Sequence, residues 1–138
     1  MRPPLFIYGT LLDRRIRFRL LRRWALHLGP KARLSNYACV YVFGKAYPSV
    51  KKNSGASTDG RLIYNLPTSI ISILNDYESP EFLEEKIKVN VSGRMLSARC
   101  YIAKDNVRLS KTRWRNNNRL WRRNVENYIR CHFSPSLS

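Results

Sequence analysis

The stretch Leu5-Phe6-Ile7-Tyr8-Gly9-Thr10-Leu11-Leu12-Asp13 decides how this chain is read. The short apolar run from Leu5 to Tyr8 reads as a buried strand. Gly9 then lets the backbone turn sharply and approach a ligand with no Cβ in the way. Asp13 is suited to cap the helix that follows. A strand, a glycine turn and a helix start together make a small cradle of backbone N–H groups, which suits a carboxylate or an oxyanion. A glycine at such a junction also serves purely structural ends. The stretch therefore takes its meaning from what comes after it.

Composition bounds the rest. The chain has 138 residues, a length that suits a single domain over 1–138. It is 43% hydrophobic and 12% aromatic, which argues against compositional disorder. No apolar run approaches the length needed to cross a membrane, and Met1-Arg2-Pro3-Pro4 lacks the apolar region of a secretory signal. Cys39, Cys100 and Cys131 are odd in number and widely spaced, and only His27 and His132 stand by to join them. Three reduced, packed thiols in a cytoplasmic protein, with no metal site and no cofactor, is the reading that follows.

The formal charge is +17, and it is unevenly spread. Residues 1–35 carry nine Lys/Arg and one acidic residue, residues 36–103 eight and six, and residues 104–138 nine and two. The middle is nearly balanced, and the excess lies on two expected helices near the ends. Such an excess attracts nucleic acid, anionic lipid or acidic proteins. A solvated arginine-rich surface accounts for it as well.

Along the chain, Asp13 to about His27 reads as a helix with Ile16, Leu20, Leu21, Trp24 and Leu28 at helical spacing and arginines between them, stopped by Gly29-Pro30. Ala32 to Phe43 alternates as a strand. Lys51 to Ser57 reads as a polar loop, and Gly60 to Leu66 as a strand. Pro67 and Thr68 open a helix through Ile70, Leu74 and Tyr77 that ends at Glu78-Ser79-Pro80. Ile87–Val91 and Met95–Ile102 read as a hairpin joined by Ser92-Gly93-Arg94. Arg113 to His132 reads as a basic amphipathic helix, with Trp114, Trp121 and Tyr128 on one side. The chain thus divides into a core over 1–103 and a basic helix and tail over 104–138. Strands outnumber helices and the connections are mixed, so the expected fold class is α+β with a curled sheet.

Glu78 stands out chemically. It ends an apolar helix, after Tyr77 and before a Ser-Pro turn. A carboxylate partly desolvated there has a raised pKa and is a useful proton carrier. An exposed acid at a helix end is the plainer reading. Asp76, Glu81, Glu84 and Glu85 lie close by and look solvated.

Taken in order, Tyr8-Gly9-Thr10-Leu11, Tyr47-Pro48, Gly60-Arg61-Leu62-Ile63-Tyr64, Leu74-Asn75-Asp76-Tyr77-Glu78 and Ala98-Arg99-Cys100-Tyr101 resemble the gamma-glutamylcyclotransferase-like superfamily, over roughly Pro4 to Ala103. The resemblance implies a small mixed β-barrel flanked by helices. It implies Glu78 as general acid/base, and Tyr8, Gly9, Thr10, Leu11, Tyr47 and Tyr101 around a small γ-glutamyl substrate. The implied reaction closes the γ-glutamyl group to 5-oxoproline and releases an amine or amino acid, without metal or cofactor. Asn75, Ser79, Phe82 and Glu84 depart from the residues usual in that family, which bears on substrate recognition. Two other readings stay open: a catalytically silent module of that fold binding an anionic partner, and a nucleic-acid-binding protein.

Overall fold

A computed structural model describes residues 2–26 and 28–115. Six strands and two helices follow in the order β1 (Leu5–Ile7), α1 (Arg14–Leu21), β2 (Leu28–Val42), β3 (Pro48–Ile63), α2 (Thr68–Glu78), β4 (Phe82–Val91), β5 (Arg94–Ala103) and β6 (Leu109–Arg113). A 3-10 turn, Gly9–Leu12, joins β1 to α1. The sheet order is β3-β1-β5-β4-β2-β6, and β2 pairs with β3 as well. That last pairing closes five strands into a ring, with β6 added on β2. β1 runs parallel to β5 and antiparallel to β3, so the sheet is mixed. The fold class is α+β, as the strand-rich sequence leads one to expect.

The ring explains the unbroken apolar run in β1. Leu5 and Ile7 face a cluster with Leu11, Ile16, Leu20, Ile70 and Leu74, which belong to the 3-10 turn and the two helices. Phe6 and Tyr8 face the opposite way, into a cluster with Leu34, Val50, Leu62, Val89, Ala98 and Cys100. Both faces of this strand are covered, so it cannot alternate with polar residues. The turn between β4 and β5 places Ser92 at φ 51° and Gly93 at φ 85°. Two successive positive φ values suit the twist of a tight hairpin.

Several expected boundaries move. The first helix stops at Leu21 rather than near His27, because Arg22 takes a positive φ of 54°. Gly29 and Pro30 then lie inside β2 instead of ending a helix. Lys51 to Ser57 is not a loop. It belongs to β3, where Lys52 pairs with Tyr37 and Lys51 with Ala38. A two-stranded ribbon satisfies its backbone through the ladder whatever its side chains are, so a polar sequence is no bar. A shift of register between Ser35 and Tyr37, where Asn36 has φ 66°, bends the ribbon.

At the C-terminal end Arg113 closes β6, a strand the sequence reading lacks, instead of opening a helix. Arg113 pairs with Val40 and Leu109 with Val42. Trp114 packs against the helix-side core and its indole Nε1–H donates to the Ala46 carbonyl at 3.0 Å. The rest of the expected terminal helix, with Trp121 and Tyr128, lies outside the described residues. Among the described residues no helix is long and apolar enough to cross a membrane.

Candidate active site

A cavity of about 570 Å³ opens beside the end of β1. Tyr8, Thr10 and Leu11 line it from the strand–turn junction, Tyr47 from the β2–β3 connection, Glu78 from the end of α2 and Tyr101 from β5. The topology thus brings together residues spread over most of the described chain. Gly9 does not itself line the cavity. Its φ is +60°, and a Cβ built on it would stand 2.5 Å from Pro48 Cγ, so both backbone and neighbour call for glycine here.

The turn that bears Thr10 is fixed by the residues that follow it. Asp13 Oδ1 accepts the N–H groups of Arg15 at 3.0 Å and Ile16 at 3.2 Å, the helix cap read from the sequence. Arg17, only 7% exposed, donates through Nη1 to the Leu11 carbonyl at 3.2 Å and the Leu12 carbonyl at 2.7 Å. A 3-10 turn bonds each N–H to the carbonyl three residues back. Leu11 and Leu12 N–H then have partners inside the turn, and those of Gly9 and Thr10 head its open end.

Glu78 is partly buried. Its carboxyl is pushed up to about 8, first by burial and then by the nearby charge of Glu81. Tyr8 and Tyr101 are both raised, chiefly by burial and partly by the Glu78 charge, which marks how near the three groups stand. Tyr8 Oη donates to the Tyr101 carbonyl at 2.6 Å, and Tyr101 Oη donates to Asn75 Oδ1 at 2.6 Å. Asn75 lies one helical turn before Glu78 on α2. Two phenols therefore tie β1, β5 and α2 together around the carboxylate.

Two acids differ from their expected solvated state. Glu81 is half-buried, lines the cavity and accepts a hydrogen bond from Tyr47 Oη. Glu84 has a side chain only 15% exposed and accepts from Arg99 Nε at 2.8 Å and Arg2 Nη2 at 2.9 Å. Asp76 and Glu85 are exposed, as expected. From the sequence Glu81 reads as a solvated acid and Arg17 as one of the arginines between the apolar positions of the first helix. Glu81 has one signal, its place three residues after Glu78 across a Ser-Pro turn. Arg17 has another: it stands three and four residues before Leu20 and Leu21, on the apolar side of α1.

Cys100 is fully buried and Cys39 partly so, both with free thiols. Burial pushes the Cys39 thiol up to about 12 and Cys100 upward as well, so neither forms a ready thiolate. Among the described residues no cluster of His, Cys, Asp and Glu is placed to hold a metal ion.

Comparison with known proteins places this architecture. The model of the family described as gamma-glutamyl cyclotransferase, AIG2-like, matches residues 5–123. None of the curated proteins matches the sequence at a significant level. Among solved structures, a protein of Arabidopsis thaliana determined in solution is 15% identical, with a TM-score of 0.65 over 95% of this chain and 87% of that one. YkqA from Bacillus subtilis is 18% identical, with a TM-score of 0.65 over 97% of this chain and 50% of its own. A structure titled gamma-glutamyl cyclotransferase is 16% identical, with a TM-score of 0.58 over 78% of this chain and 69% of that one. At these identities the likeness is one of fold, while the family match spans most of the sequence. The chain belongs to the gamma-glutamyl cyclotransferase, AIG2-like family.

Proposed function

We propose that this protein is a gamma-glutamyl cyclotransferase. In this reading it converts the γ-glutamyl group of a small conjugate to 5-oxoproline and releases the amine or amino acid. The observation that carries the reading is the meeting, around one cavity, of a half-buried Glu78 with Tyr8, Thr10 and Leu11 of the strand–turn junction. Family membership supports it.

The chemistry is an intramolecular aminolysis. The α-amino nitrogen attacks the side-chain amide carbon, a five-membered lactam closes, and the C–N bond to the leaving amine breaks. Nucleophile and electrophile share one molecule, so the enzyme need only hold them in a reactive arrangement. One proton must leave the attacking ammonium and one must reach the departing nitrogen. Glu78, held up to about 8, suits both transfers in sequence. Ionised Glu78 facing an ammonium and protonated Glu78 facing a free amine hold the same number of protons, and either arrangement leads to the same transition state.

The substrate's own anionic oxygens need donors. The Gly9 and Thr10 N–H groups head the turn, Arg17 binds the Leu11 and Leu12 carbonyls, and the Asp13 N–H donates to the Thr10 carbonyl. Rigid backbone donors act without reorganising as charge develops on the carbonyl oxygen. Tyr47 and Tyr101 supply walls, with Tyr47 stacked obliquely on Phe82 at 6.3 Å between ring centres.

The test is release of 5-oxoproline from a panel of γ-glutamyl amines and γ-glutamyl amino acids. Stoichiometric 5-oxoproline and free amine from at least one member is the expected result. No turnover of any member would leave the fold without this activity.

A further inference from the structure

Tyr101 is a wall of two cavities. The second, of about 300 Å³, is lined by the apolar Leu5, Leu66 and Leu74 and by the charged Arg2, Glu84 and Arg99. Both guanidinium groups end on the same oxygen, Glu84 Oε1, at 2.9 and 2.8 Å. Two cations facing one carboxylate leave a net positive charge. A guanidinium carries five N–H donors, and among the described residues each of these two donates one side-chain hydrogen bond, to Glu84. Arg99 is also fixed by its backbone, whose N–H donates to the Pro4 carbonyl at 2.9 Å.

A surface ion pair alone contributes little to stability. What distinguishes this cluster is its position. The surplus donors border a partly open cleft of about 300 Å³ whose lining mixes polar and apolar side chains, with room for a small organic molecule. Arginine presents a planar fork that matches a carboxylate or phosphate with two parallel hydrogen bonds. We propose that this cavity is a second binding site, for a small organic oxyanion: a carboxylate or phosphate joined to an apolar body. The apolar body lies on Leu5, Leu66 and Leu74, and the oxyanion meets Arg99 and Arg2. Glu84 is the internal anion with which the ligand competes. The site is distinct from the Glu78 cavity and does not depend on the reaction proposed for it.

The experiment titrates benzoate, phenyl phosphate and neutral benzamide into the isotope-labelled full chain, followed by nuclear magnetic resonance. Binding of benzoate or phenyl phosphate is expected, with shifts at Arg99 Nε–H and at the Leu66 and Leu74 methyls, and none from benzamide. The stronger of the two anions identifies the oxyanion. Arg99→Gln should weaken binding by roughly tenfold or more, the scale of one charge-assisted hydrogen bond. Glu84→Gln should tighten it, since the competing carboxylate is gone. Three results would overturn the proposal: benzamide binding as well as the anions, shifts confined to Tyr8–Thr10 and Glu78, or weaker binding in Glu84→Gln. Should Arg99→Gln fail to fold, the direction of the Glu84→Gln change still decides.

Discussion

The phenol of Tyr8 donates a hydrogen bond to the main-chain carbonyl of Tyr101, ninety-three residues away, at 2.6 Å. Both residues are buried and both line the Glu78 cavity. The bond couples the strand that carries the glycine turn to the strand that walls two cavities. Tyr8→Phe removes the donor and leaves a buried carbonyl short of a partner. A loss of about 1–3 kcal/mol in unfolding free energy is expected, measured by denaturant titration. An unchanged midpoint would show that this bond adds nothing to the fold.

The pH dependence of stability has a definite sign. The Glu78 carboxyl is raised from 4.5 to about 8, so the folded chain holds a proton that the unfolded chain gives up earlier. Its contribution is complete below about 4.5 and is lost as pH rises through about 8. Unfolding free energy should therefore fall over this window, and Glu78→Gln should flatten that part of the profile. Glu81→Gln removes a charge that holds Glu78 up, so the slope and the alkaline-rising limb of activity should both shift to lower pH.

Arg17 is expected to act through the turn rather than on substrate. Arg17→Met keeps much of the side chain's length but frees the Leu11 and Leu12 carbonyls. Loss of such bonds costs about 1.5–3 kcal/mol. Catalytic efficiency should fall roughly tenfold or more through a misplaced turn. Steady-state kinetics beside a thermal melt checks both, and an unaltered KM with full stability would remove Arg17 from the account.

Ending the chain after Ala103 deletes β6 and Trp114. The Trp114 N–H donates to the Cys39 carbonyl and its indole to Ala46, both at 3.0 Å. The shortened chain should lose about 2 kcal/mol for the aromatic alone and expose the β2 edge to self-association. Melting curves and light scattering report the two effects.

Much of this was legible in the sequence, for identifiable reasons. The run Leu5–Tyr8 is apolar throughout because both faces of β1 are covered, and the glycine after it marks the one positive φ the turn needs. Asp13 carried its capping role openly. Glu78 stood out by its place after an apolar helix, and the family resemblance singled out its companions. The polar half of β3 was hidden, because ladder bonds belong to the backbone and leave no mark on side-chain type. Arg17 looked like its neighbouring arginines, since burial of one cation depends on carbonyls that only the folded turn presents. Glu81 and Glu84 looked solvated for the same reason: Tyr47 reaches one from the β2–β3 connection, and Arg2 and Arg99 reach the other across the sheet.

The central claim is that Glu78 carries the proton. Its most direct test is 5-oxoproline formation by Glu78→Gln under saturating γ-glutamyl substrate, with substrate binding measured separately by calorimetry. Gln keeps the size and hydrogen-bonding capacity of the side chain but takes up no proton. A loss of ~10²- to 10⁴-fold in kcat with little change in affinity is the predicted result. Full turnover by Glu78→Gln would contradict the account.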